Sequence, residues 1–237
     1  MAITVAEIEV ADPADAWVRA GFTVDSDDVC RVGGVGVRLT GPAHGSGIVG
    51  WSLRGLPDGS PGDLDGIPTT RSDAALSMPA EHANGVTGID HIVLFSPDLG
   101  RTVAALAAVG VEPRRERDAE LGGRPIRQIF VRFGEVILEV VGSPDTADEG
   151  PSTLWGITYE VADIVATAAL FGEHTTGVKD AVQPGRRRCP QAYVRRRTTE
   201  RPETHSPGLI RETTPLKEAT CFSSWPRSCS SLRSRAA

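Results

Sequence analysis

The chain has 237 residues, 40% of them hydrophobic and 24% charged, and a net charge of −6. These are ordinary globular proportions, and no apolar run nears the roughly 18 residues of a membrane span. Cys30, Cys189, Cys221 and Cys229 form no Cys-x-x-Cys pair, which points away from a zinc knuckle and a disulfide framework. The N-terminus shows neither a basic start nor a signal-like apolar stretch, so a cytoplasmic location is expected. The charge is uneven: from Arg186 onward there are twelve basic and four acidic residues, a balance of +8 that leaves −14 on the first 185.

Residues 3–10 read as a strand. Asp12-Pro13 reads as a cap and first turn for a short helix that Gly21 stops. Val29 to Val32 and Val35 to Leu39, joined by Gly33-Gly34, read as a hairpin, and Ile48 to Leu53 as a further strand. Residues 55–87 are rich in Gly, Pro, Asp, Ser and Thr without hydrophobic period, and read as a linker or long surface loop. The pattern returns in Ile89 to Phe95, a strand, followed by an Ala-rich helix from Leu99 to Val109 with Asp98 as its cap. The charged run from Glu112 to Glu120 reads as a solvated strand and loop. Ile126 to Phe133 and Val136 to Val141 close the unit as a hairpin.

Two segments repeat. Arg31 to Gly41 lies over Arg132 to Gly142 without a gap, which sets Arg38 at the position of Glu139. A third start, Trp155-Gly-Ile-Thr-Tyr-Glu-Val, lies over Thr87 to Val93 and sets Tyr159 at the position of His91. The chain therefore divides into a degenerate module (1–54), the linker (55–87), a full β-α-β-β-β module (88–143), the start of a further, truncated module (152–185) and a basic tail (186–237). From Arg186 the apolar period stops, and Leu and Val are too sparse for paired strands. An interrupted module followed by Arg, Ser, Thr and Pro is the pattern a shifted reading frame leaves. A nucleic-acid role for this tail is not expected.

Strand alternation places His91 in an apolar row with Ile89, Val93 and Phe95, and Glu139 in another with Ile137 and Val141. A buried ionisable group needs a partner or a ligand. His44 and His82 lie in Gly- and Pro-rich loops and read as solvent-facing. Arg124, Arg127 and Arg132 read mostly as solvated.

The motifs Gly-Ile-Asp-His-Ile-Val-Leu at 88–94, Ser-Pro-Asp-Leu at 96–99 and Gly-Glu-Val-Ile-Leu-Glu-Val-Val at 134–141 resemble a module of the vicinal oxygen chelate superfamily. That superfamily includes glyoxalases, bleomycin-resistance proteins and extradiol dioxygenases. The resemblance implies an α+β fold in which repeated βαβββ modules curl a mixed sheet into a cup with helices outside. It implies a glyoxalase-like or dioxygenase-like enzyme acting on a small oxygenated metabolite. His91 and Glu139 would be ligands of a divalent metal (Fe, Mn, Zn or Ni), and Glu139 also a catalytic base. The alternative it implies is a metal-free protein of the bleomycin-resistance kind that only binds a small molecule. Cups of this kind are also completed across a homodimer.

Overall fold

A computed structural model describes residues 2–76, 78–172, 178–180, 187–192 and 208–212. The first sheet is built from β1 (Thr4–Val10), β2 (Val29–Val32), β3 (Val35–Leu39), β4 (Ile48–Arg54), β5 (Asp63–Leu64) and β6 (Ile67–Arg71), with helix α1 (Ala14–Arg19) after β1. Its spatial order is β2-β3-β1-β4-β6-β5. The second sheet holds β7 (Val86–Phe95), β8 (Arg115–Leu121), β9 (Arg124–Phe133), β10 (Val136–Gly142), β11 (Thr153–Val161), β12 (Lys179–Asp180), β13 (Arg187–Ala192) and β14 (Gly208–Glu212). Helices α2 (Leu99–Ala108) and α3 (Ile164–Phe171) follow β7 and β11. Its order is β12-β13-β14-β11-β7-β10-β9-β8, a continuous open sheet. Among the described residues no helix is long and apolar enough to cross a membrane.

Each half has the same centre. In the first sheet β1 pairs in parallel with the end of its own hairpin, β3, and antiparallel with β4. In the second, β7 pairs in parallel with β10 and antiparallel with β11. Alternate residues of β7, β9 and β10 (Ile92, Leu94, Val131, Phe133, Leu138 and Val140) enter one buried cluster with Ile8, Trp51 and Leu53 of the first sheet. Trp51 meets Phe133 edge-on at 5.5 Å between ring centres. Helix α2 contributes Leu106 to this core. Asp98 caps it as its position suggests, accepting from Arg101 N at 3.0 Å. The intervening residues of β7, β9 and β10 face the other way, and there the site lies.

Three local readings change. Helix α1 starts after Pro13 without a side-chain cap, because Asp12 accepts instead from Trp17 Nε1 at 3.1 Å. Residues 63–71, inside the stretch read as linker, form the hairpin β5-β6 around Asp65 (φ 54°) and Gly66 (φ 83°). Positive φ at both turn positions is the type I′ geometry that an Asp-Gly pair favours. The composition of the surrounding loop masked that signal. Within the tail, where paired strands were not expected, the backbone of 208–212 runs parallel to β11 and that of 187–192 antiparallel to 208–212. The rest of the tail, and with it most of the frame-shift reading, lies outside the described residues.

Asp65 is the knot between the two halves. Its carboxylate, only 4% exposed, accepts from Arg101 Nε and Ser152 Oγ at 2.5 Å each, and from Thr102 Oγ1. Its backbone carbonyl accepts from Ser152 N at 2.9 Å. Burial raises the carboxyl pKa, and the bonds from Ser152, Thr102 and Arg101 more than offset it, so the group lies below its ordinary 3.8. A depressed carboxyl stabilises the fold at neutral pH and loses that contribution as pH falls through its lowered value. Asp65→Ala is therefore expected to cost about 2–3 kcal/mol at pH 7 by denaturant unfolding, the range for hydrogen bonds to a charged group. The gap between variant and parent should shrink below about pH 3.8. An equal gap at acid pH would contradict this account of Asp65.

Candidate functional site

The registers of five strands carry a polar row across one face of the second sheet. Thr158 of β11 pairs with His91 of β7. His91 pairs in parallel with Ile137 of β10, two residues before Glu139 on the same face. Glu139 lies opposite Phe130 of β9, two residues after Gln128, and Gln128 pairs with Arg117 of β8. Alternation then aims Thr158, His91, Glu139, Gln128 and Arg117 at one side.

The structure brings the two sequence-predicted residues together. His91 Nε2 lies 3.2 Å from Glu139 Oε2, and each residue is about 3% exposed. Asp90 Oδ2 is 2.6 Å from His91 Nδ1. The ionised carboxylate can only accept, so Nδ1 carries a hydrogen and the reactive edge of the ring is Nε2. Thr158 Oγ1 is 2.8 Å from that same Nε2. On the far side, Gln128 Nε2 donates to Glu139 Oε1, and Gln128 Oε1 accepts from Arg117 Nε at 2.9 Å. The chain of contacts fixes both amide orientation and ring orientation from its two ends. Gln128 and Thr158, each 2% exposed or less, carry no motif in the sequence. Only the strand register reveals them.

An acceptor lone pair and a carboxylate oxygen repel at 3.2 Å, so the contact between His91 and Glu139 requires one proton between them. Beside this pair, Val93, Ile126 and Val141 form a second apolar cluster with the half-buried Phe95 and Trp155, whose ring centres are 5.4 Å apart. The site therefore offers a shared proton next to an apolar, partly aromatic wall.

As a metal site the set is short. A catalytic metal takes about three protein ligands, and His91 and Glu139 supply two. Among the described residues no group of three or more His, Cys, Asp or Glu side chains is arranged to hold an ion. The residues in hand do not complete the metal centre that the sequence resemblance implies, and no step below runs through a metal.

Other candidates lie elsewhere. Tyr159, aligned with His91 by sequence, follows Ile157 and Val161 into the core on the opposite face, because the extra residue of the register shift there, Asp90, lies on β7 and not on β11. It is buried 5.4 Å from the Phe22 ring, and burial holds its pKa well above the ordinary value. Thr158 takes the place beside His91 instead. Arg38, aligned with Glu139, sits on the first sheet bonded to Glu7. His44 is exposed as expected, with Nδ1 2.6 Å from Thr40 O. Arg124 and Arg132 are exposed, and Arg127 pairs with Asp118 at 2.7 Å.

His82 corrects its reading as a solvent-facing loop residue: it is 8% exposed. Its Nδ1 accepts from Thr23 N at 3.1 Å, so Nε2 carries the hydrogen directed at Arg31 O, 3.2 Å away. Burial lowers its pKa from 6.5, against the carbonyl of Arg31, which raises it.

Comparison with known proteins gives the fold. No protein-family model and no curated protein matches the sequence. Solved structures do. A triple mutant of 4-hydroxymandelate synthase from Streptomyces coelicolor aligns with a TM-score of 0.59 at 14% identity, over 92% of this chain and 94% of that one. Catechol 2,3-dioxygenase aligns with 0.54 at 11% identity, over 94% and 91%. The 2,2′,3-trihydroxybiphenyl 1,2-dioxygenase of Sphingomonas wittichii aligns with 0.51 at 11% identity, over 90% and 91%. The α+β fold of this chain is theirs.

Two stability measurements test the site. Removing one member of a buried pair leaves the other uncompensated, so His91→Ala is expected to cost about 3–5 kcal/mol. In the double variant His91→Leu with Glu139→Leu, the combined cost should fall well below the sum of the single ones; strict additivity would mean the pair does not interact. For His82, whose depressed pKa favours the neutral ring, stability should fall as pH drops below about 6.5. His82→Gln should flatten that slope, and an unchanged slope would contradict the buried neutral ring.

Proposed function

We propose, on the premise that this chain has the vicinal oxygen chelate fold, that it is an enzyme moving a proton on a small oxygenated metabolite. Glu139 is the base and His91 the group that shares and returns the proton. The observation that carries this reading is the 3.2 Å contact between His91 Nε2 and Glu139 Oε2, held from outside by Asp90 on Nδ1 and Gln128 on Oε1. Asp90 and Gln128 anchor the two ends, and Thr158 Oγ1, 2.8 Å from the same Nε2, is the third neighbour of the proton that the pair would exchange.

A carbon acid next to a carbonyl fits these groups. The proton leaves carbon for a Glu139 oxygen, the electron pair passes to the carbonyl oxygen, and Thr158 Oγ1 and His91 lie where they can donate to that oxygen. Reversal returns the proton to the same carbon or its neighbour. Val93, Phe95 and Trp155 would hold the apolar part of the substrate and keep water from the exchanging proton. Burial strengthens each of these interactions relative to water.

The test is exchange in heavy water. The full chain is incubated with a panel of small α-hydroxy and α-keto acids and aldehydes, and loss of the C–H signal beside the carbonyl is followed by proton NMR. Exchange faster than the buffer rate, and slowed at least 100-fold in Glu139→Gln, is the expected result; general-base catalysis commonly contributes that much. Binding of a panel member without exchange would instead mark a protein that sequesters its ligand. Stoichiometric metal in protein purified without chelators, lost in His91→Ala, would turn the pair from a proton carrier into ligands.

A further inference from the structure

The first sheet carries a cavity that the His91 site does not use. In β1, Glu7 pairs with Gly36 of β3 and with Ser52 of β4. In β7, His91 pairs with Ile137 of β10 and with Thr158 of β11. Glu7, Arg38 and Ser52 therefore occupy, register for register, the positions of His91, Glu139 and Thr158. The pairing has been kept while its chemistry has been inverted. Arg38 Nε and Nη2 bond Glu7 Oε1 and Oε2 at 2.6 and 2.9 Å.

The cavity, of about 570 Å³, is lined by Glu7, Arg31, Arg38, Ser52 and Arg54 and walled by small and apolar residues of 72–78. Gly36 leaves room for the Glu7 carboxylate. A Cβ there would lie 3.3 Å from both Glu7 Oε2 and Val29 Cγ1, whereas the second half carries Ile137 at this place.

Three arginines face one glutamate in the lining. Glu7 pairs with Arg38, and both Asp25 and Asp27 pair with Arg31, at 2.5 and 3.5 Å. Arg54 has no carboxylate partner among the described residues. It donates to the carbonyls of Ala74, Val5 and Ala75 at 2.7, 2.9 and 3.0 Å, three of its five N–H groups. Those bonds fix its guanidinium at the cavity wall and leave two donors. At the rim Leu76 and Met78 are 69% and 80% exposed. One arginine that meets only carbonyls, in a cavity with exposed apolar side chains at its mouth, suits one kind of guest.

We propose that this cavity binds a small organic carboxylate, with the carboxylate on Arg54 beside Arg38 and the apolar body against Ala75, Leu76 and Met78. The site is independent of the proton-transfer reading of His91 and Glu139.

Calorimetric titration of the full chain with benzoate tests it, with benzyl alcohol and inorganic phosphate as comparison probes. Benzoate should bind, benzyl alcohol should not, and Arg54→Gln should weaken benzoate at least tenfold. Because Arg54 also ties down the 74–75 backbone, Ala75→Trp serves as a second variant: it fills the exposed mouth, leaves every charge in place, and should abolish binding. Glu139→Gln should leave binding unchanged. No benzoate binding by a folded chain, equal binding of benzyl alcohol, binding of phosphate alone, or loss of binding in Glu139→Gln would each overturn the proposal.

Discussion

A histidine and a glutamate that are each about 3% exposed can be stable in a sheet only if each satisfies the other. Burying either alone would cost several kcal/mol, far more than any single apolar contact in the strands returns. The parallel pairing of β10 with β7 resolves this: it sets Glu139 two residues beyond the partner of His91, within 3.2 Å of the ring. Slipping that register by one residue would turn Glu139 into the apolar core and Leu138 out of it. The polar row and the hydrophobic core thus enforce the same alignment, and the buried His91–Glu139 pair is a consequence of it.

The two halves of the chain show how one register can serve opposite chemistries. At equivalent positions the second sheet carries His91, Glu139 and Thr158, and the first carries Glu7, Arg38 and Ser52. In one half a proton is shared in a closed, buried contact. In the other two permanent charges meet at the wall of an open cavity. Beside the Glu7 carboxylate stands Gly36, where the other half has Ile137 beside His91. The Asp65 knot then binds the β5-β6 turn to α2 and to the entry of β11, so the two sheets are tied through one carboxylate.

Much of this was legible in residue order. Period-two alternation placed His91 and Glu139 on sheet faces, and the gapless overlay of Arg31–Gly41 on Arg132–Gly142 already set Arg38 at the position of Glu139. Asp98 behaves as a cap should. What sequence could not show was contact across distant strands. Gln128 and Thr158 are ordinary strand residues until β9 and β11 are paired, 11 and 67 positions from their partners Glu139 and His91. Tyr159 misled because β7 carries an extra residue beside His91 that β11 lacks, a one-residue event invisible to alignment. His82 misled because burial there is made by Phe22 and Thr23, beyond α1, and by Arg31 of β2 closing over a loop of polar composition.

The central claim is that one proton lies between His91 and Glu139 while Asp90 holds the other ring nitrogen. Nitrogen-resolved NMR of the histidine side chains, on the full chain at neutral pH, observes this directly. The account predicts a hydrogen on Nδ1 of His91, protected from solvent exchange, and an Nε2 signal that moves markedly in Glu139→Gln. A His91 ring with Nδ1 bare, or an Nε2 signal indifferent to Glu139→Gln, would contradict it.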